Sequence, residues 1–187
     1  HRLRDLADEH DLMLVLDEVQ SGYGRCGTFY AHEAYGLNPD ILATAKGIGG
    51  GFPLGACLAT EKAARGMVIG AHGSTYGGNP LAIAAGVAVL DAFEAEDVIA
   101  NARDMGAKLA ARLEQFIGNY PELFEEVRGR GLLMGLKLKA EPREFVAHLR
   151  DNHGLLTVSG GDNTMRIVPP LVIGDEHIDE FMEKLSA

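Results

Sequence analysis

Three places in the sequence carry side chains able to do chemistry. An apolar run at 12–16 ends abruptly in Asp17 and Glu18, and a second at 40–45 ends at Lys46, followed by the glycine stretch 47–51. The third place is the segment 72–80, His-Gly-Ser-Thr-Tyr-Gly-Gly-Asn-Pro. Apolar runs of this length read as strands of a parallel sheet, buried on both faces. Ligands of open α/β sheets bind at the carboxyl ends of such strands, where Asp17 and Lys46 both fall. A carboxylate there is costly unless paired. A lone aspartate in such a place is more often a helix cap or a structural ion pair, and Glu18 has the same bland reading. A lysine in a semi-buried apolar setting has a lowered pKa, which frees its amine as a nucleophile. Most isolated lysines are instead surface residues.

The pairing changes the weight of each residue. Pyridoxal phosphate needs a lysine for covalent attachment and an acid for its pyridinium nitrogen. Hydroxyls and glycines ahead of a helix N-terminus, as in Ser74 and Thr75 before Asn79-Pro80, suit a phosphate group. The glycine stretch 47–51 fits neither GxGxxG nor GxxxxGK[ST], so a nucleotide loop is set aside.

The elements that must position these residues follow from pattern. Residues 2–10 form a short amphipathic helix with Leu3, Leu6 and Ala7 on one face. A third strand is expected at 55–60. Asn79 caps and Pro80 opens a helix to about Phe93, and its Ala-rich portion 81–90 reads as buried. A longer helix at about 98–120 carries Ile99, Met105, Leu109, Leu113 and Phe116 near helical spacing. Strands at 124–128 and 132–138, a helix at 142–152, strands near 155–158 and 165–168 and a helix at 175–185 complete the chain. Alternation of helix and strand predicts a layered α/β architecture, with a domain boundary near residue 96.

Composition narrows the function classes. The chain has 187 residues, 47% hydrophobic, with 17 Lys and Arg against 27 Asp and Glu, for a net charge of −10. That is ordinary for a globular protein. The scattered cations argue against nucleic acid and an anionic membrane surface. Apolar runs are too short to span a membrane, and no signal-peptide pattern opens the chain. Cys26 and Cys57 form no CxxC pair, which favours a reducing compartment. The seven histidines are scattered, so a zinc site is not expected. The sequence starts with His1 rather than Met, inside a helical pattern, so it reads as a piece of a longer chain.

These motifs in order resemble class III aminotransferases. The resemblance rests on Asp17-Glu18-Val19-Gln20-Ser21-Gly22-Tyr23-Gly24-Arg25, Pro39-Asp40-Ile41, Ala45-Lys46-Gly47-Ile48-Gly49-Gly50-Gly51-Phe52-Pro53-Leu54-Gly55 and the 72–80 segment. Lys46 lies midway in sequence between Asp17 and Thr75. The likeness continues through Glu126-Val127-Arg128-Gly129 to Gly135 and through Arg166-Ile167-Val168-Pro169-Pro170. It implies an α/β fold: the second half of a fold-type I pyridoxal-phosphate transferase large domain (1–96) and a small C-terminal α/β domain (97–187).

It also implies roles. Asp17 holds the ring nitrogen protonated, Val19 packs on a ring face and Gln20 hydrogen-bonds the ring hydroxyl. Lys46 binds the cofactor covalently and then shuttles the proton. Thr75, with Ser74, reaches the phosphate of the neighbouring subunit's cofactor in a homodimer. Arg166 grips the substrate α-carboxylate, which a planar guanidinium fork suits. The substrates implied are an amino acid and a 2-oxo acid, exchanged by ping-pong kinetics in the cytoplasm. Segments 72–76 and 157–163 favour N-acetylornithine with 2-oxoglutarate, although members acting on ornithine, 4-aminobutyrate or succinyldiaminopimelate share most motifs. The family's phosphate-cupping turn, ring-stacking aromatic residue and second substrate arginine lie upstream of these motifs. Half an active site is therefore expected, inactive alone. Cys26 stands where threonine is common in the family.

Overall fold

The computed structural model describes residues 2–187. They form two compact units: residues 2–24 with 28–97, and residues 25–27 with 98–187.

In the first unit, helix α1 (Arg2–Glu9) precedes strand β1 (Val15–Asp17). Strand β2 (Ile41–Ala45) runs parallel to β1 with Asp17 opposite Ala43, and β3 (Gly55–Ala59) runs antiparallel to β2. The entry to the parallel pair is pinned by Asp40, whose Oδ2 accepts from Arg4 Nη1 at 2.7 Å and from Leu14 N at 2.8 Å. The Arg4 guanidinium, helped by the Leu14 N–H, holds the Asp40 carboxyl below the usual carboxylate range. A short helix α2 (Glu61–Ala64) follows β3, and a loop leads to α3 (Pro80–Ala95). Asn79 Oδ1 accepts from Ala82 N at 2.9 Å with proline at the first helical position, as the sequence pattern requires. Tyr23, Phe29 and Phe93 cluster with centroids 4.8–6.1 Å apart, in the edge and tilted geometries aromatic rings favour.

Two expectations for this unit need correction. The strand expected at 12–16, buried on both faces, covers only 15–17, and Val15 and Asp17 are exposed. The apolar helix portion 81–90 is not buried either: Leu81, Ile83, Val87 and Leu90 are exposed, and only Ala82 and Gly86 are covered. The physical reason is the same for both. An apolar pattern requires a cover for its face, and none of the described residues of this unit supplies one.

The second unit has a well-filled core. Helix α4 (Val98–Gly118) is followed by β4 (Phe124–Arg130), β5 (Leu133–Leu138), α5 (Arg143–His153), β6 (Val158–Ser159), β7 (Thr164–Ile167) and α6 (Asp175–Ser186). The sheet order is β4-β5-β7-β6, antiparallel throughout. Period-2 alternation puts Met134, Leu136, Leu138, Met165 and Ile167 into the core. There they meet Leu109, Leu113 and Phe116 of α4, Leu149 of α5, and Ile178, Met182 and Leu185 of α6. The strand expected near 155–158 is only two residues long.

Candidate active site

Asp17 and Lys46 end neighbouring parallel strands. Glu18 N donates to Ala43 O at 2.9 Å, which extends the ladder one residue past Asp17. The chain then turns: Gly22 N donates to Glu18 O at 3.0 Å. Past β2, Lys46 opens a 3-10 turn through Gly49 and adopts φ +53°. That left-handed conformation costs a non-glycine residue on the order of 1 kcal/mol, and such residues cluster at functional sites.

The two turns touch. A Cβ on Gly47 would stand 3.2 Å from Tyr23 Cβ. The lysine turn also lies against α3, where a Cβ on Gly50 would come within 2.7 Å of Val89 Cγ2. Glycine at 47 and 50 thus lets the loop after Lys46 lie between the Asp17–Tyr23 turn and α3. The structure brings together Asp17, Val19, Gln20 and Lys46 at one edge of one sheet.

Two details bear on chemistry. Asp17 Oδ1 accepts from Val19 N at 3.0 Å, and among the described residues no ion pair engages this acid. Lys46 is exposed, which corrects the expected semi-buried setting, and its Nζ has no hydrogen bond or ion pair among the described residues. The lysine end of the sheet, like the outer faces of β1 and α3, lacks a cover among the described residues of this unit.

Ser74 and Thr75 occupy an exposed stretch without regular structure ahead of α3. Among the described residues, no hydrogen bond joins either to Asp17 or Lys46. Arg166 belongs to the second unit. It sits on β7 opposite Gly135 of β5 and Val158 of β6, on the sheet face away from the helical core. The turn before it is tightly held. Gly160 N donates to Thr164 O at 2.7 Å, Leu138 N donates to Asn163 O at 2.8 Å, and Asp162 pairs with Arg128 at 2.6 Å. The Arg128 guanidinium, joined by Lys137, keeps the Asp162 carboxyl below its ordinary range. A Cβ on Gly160 would meet Arg166 Cδ at 3.0 Å and Cγ at 3.2 Å, so the arginine stem lies in space that only glycine leaves open.

The model of the family described as aminotransferase class-III matches residues 1–187. The chain belongs to the class III aminotransferase family. Acetylornithine aminotransferase from Agrobacterium fabrum (strain C58) is 51% identical over 185 residues, covering 99% of this chain and 46% of its own length. The crystal structure of acetylornithine aminotransferase from Elizabethkingia anophelis superposes with a TM-score of 0.88 at 33% identity, covering 97% of this chain and 46% of that one. An ornithine aminotransferase from Toxoplasma gondii, whose structure reveals partial occupancy of PLP at the active site, gives 0.91 at 31% identity, covering 98% and 44%. This chain therefore spans about half the length of the family relatives it matches. Its mixed α/β architecture is the one these aminotransferases share over the matched portion.

Sequence reasoning left Glu18 at its bland structural reading and passed over His32. Glu18 is 4% exposed, and it bonds His32. The only sequence signal was an acid adjoining Asp17 at the end of an apolar run. His32 carried none.

Among the described residues no helix is long and apolar enough to cross a membrane, and no three His, Cys, Asp or Glu residues group as metal ligands.

Proposed function

We propose that this chain is the C-terminal half of a pyridoxal-phosphate aminotransferase that moves an amino group from N-acetylornithine to 2-oxoglutarate. One observation carries the reading. An acid and a lysine end adjacent parallel strands, and the lysine is held in a left-handed conformation with its loop against the turn that follows the acid.

The donor set fits the cofactor. An acid suits a pyridinium nitrogen, an amine without a partner among the described residues suits an aldehyde, and hydroxyls ahead of a 16-residue helix suit a phosphate. Bound pyridoxal phosphate supplies an electron sink for the charge left when the substrate α-carbon loses its proton. Asp17 keeps the proton on the ring nitrogen that makes the sink effective. Val19 would pack on a ring face and Gln20 would hydrogen-bond the ring hydroxyl. Lys46 Nζ holds the cofactor at rest, then takes the α-carbon proton and returns it as general base and general acid. Arg166 binds the α-carboxylate of both substrates in turn, so the two half-reactions share one site and kinetics are ping-pong. Thr75, with Ser74, reaches the phosphate bound by the neighbouring subunit of a homodimer. Residues 1–96 then belong to the large cofactor domain and 97–187 to the small one, and the chain alone is inactive. The two free cysteines, Cys26 and Cys57, fit a cytoplasmic setting.

The test is direct. The full polypeptide carrying this chain is incubated with pyridoxal phosphate and reduced with borohydride, and mass spectrometry is expected to place the pyridoxyl group on Lys46. No adduct there would overturn the reading. The likeness to ornithine aminotransferase supports a second amine. Single-turnover loss of cofactor absorbance with N-acetylornithine but not with ornithine or 4-aminobutyrate is the expected order, and the reverse order reassigns the substrate.

A further inference from the structure

Glu18 is a buried carboxylate with no part in the chemistry above. It adjoins Asp17, and four donors converge on it. Oε1 accepts from His32 N and from His32 Nδ1, both at 2.8 Å. Oε2 accepts from Ala31 N at 2.6 Å and from Ser21 Oγ at 3.2 Å. That uses all four lone-pair positions of an ionised carboxylate. The same residue is fixed through its backbone, N to Ala43 O and O from Gly22 N. Burial of an acid is costly unless its oxygens are satisfied in this way.

The consequence falls on Asp17. The Asp17 carboxylate is oriented by Val19 N, and Val19 N belongs to the peptide bond between Glu18 and Val19. Anchoring the Glu18 side chain to the backbone at 31–32 fixes that peptide, and so fixes where the Asp17 carboxylate points. We propose that Glu18, held by His32 and the Ala31 and His32 backbone amides, is a positioning residue that aims Asp17 at the cofactor's ring nitrogen. This rests on the cofactor reading above.

Glutamine is not a neutral replacement here. Ala31 N faces one oxygen and His32 N the other, so the Gln amide NH2 meets a backbone donor whichever way it is turned. At position 32, asparagine can offer an N–H near the place of Nδ1, and leucine cannot.

The experiment compares binding of pyridoxal 5′-phosphate with its 1-deaza analogue, in which carbon replaces the ring nitrogen, to the apo form of the full polypeptide. Only the first can use an aimed Asp17. The readout is the ratio of the two dissociation constants. Wild type is expected to prefer pyridoxal phosphate. Glu18→Gln should cut that preference about tenfold, the scale of a hydrogen bond to a charged group. His32→Leu should cut it less, and His32→Asn should restore it. An unchanged ratio in a folded Glu18→Gln protein would overturn the proposal. If that variant does not fold, His32→Leu decides, and an unchanged ratio there overturns the proposal equally. A wild type with no preference for the nitrogen-bearing ring would overturn the role of Asp17 and, with it, that of Glu18. A wild-type preference that survives both substitutions overturns Glu18 alone.

Discussion

Arg166 shows how a side chain with one proposed task depends on the absence of another. Its stem passes where a Cβ on Gly160 would stand, and the Gly160–Asn163 turn is held by hydrogen bonds and by the Arg128–Asp162 pair. Gly160 does not occupy the left-handed region, so alanine there brings crowding without backbone strain. Gly160→Ala should therefore displace the Arg166 stem and leave the fold intact. If Arg166 holds the carboxylate equally in ground and transition states, KM for both substrates rises about tenfold with kcat within about twofold. Steady-state kinetics on the full polypeptide check this. Equal KM in wild type and variant would mean that Arg166 does not bind the substrate. Lys46 gives the complementary case, since its φ of +53° is a cost that the fold accepts at the residue proposed for the chemistry.

At the scale of elements, close approach of backbones decides more than propensity. Gly106 lies in the middle of α4, where alanine is favoured by about 1 kcal/mol. A Cβ there, however, would come within 2.4 Å of the Gly131 carbonyl carbon and oxygen. Overpacking against backbone that cannot yield costs about 3 kcal/mol. Gly106→Ala should thus destabilise the second unit by about 2 kcal/mol net, the difference between those two effects. Gly118→Ala at the end of the same helix meets nothing within 4 Å and should be neutral or slightly stabilising. Urea midpoints of the two variants against wild type settle the comparison. Element existence was legible in the sequence because its causes are local. Asn79-Pro80 announced α3, and helical spacing of Met105, Leu109, Leu113 and Phe116 announced α4. The order of Asp17, Lys46 and the 72–80 segment was legible too. The Glu18 clamp was not, because three of its four donors come from residues 31 and 32, folded back by a turn that no pattern marks. Nor could pattern distinguish an apolar face that is covered from one that is not.

The uncovered apolar faces have a measurable consequence for the whole molecule. Buried apolar side chains are unevenly shared. The second unit encloses a continuous cluster from Ala102 to Leu185. In the first, buried apolar residues are few (Ala7, Tyr23, Leu42 and Ala82), and Leu12, Val15, Leu58, Leu81 and Val87 are exposed. Each apolar side chain left in water forgoes about 1.5–3 kcal/mol of burial. A sheet of three short strands with exposed faces is therefore the low-stability part of this chain. Native-state hydrogen exchange on the isolated chain should show slow amides in α4, β5 and β7. Those of β1, β2 and α3 should exchange faster by at least about a hundredfold, equivalent to about 2.8 kcal/mol at roughly 1.4 kcal/mol per tenfold. In the full polypeptide, where the proposed N-terminal half and partner subunit cover these faces, β1, β2 and α3 should become as protected as the second unit. If β1 and β2 are already as slow as α4 in the isolated chain, the apolar faces need no cover. The proposal that Asp17 and Lys46 await the rest of the enzyme would then fail.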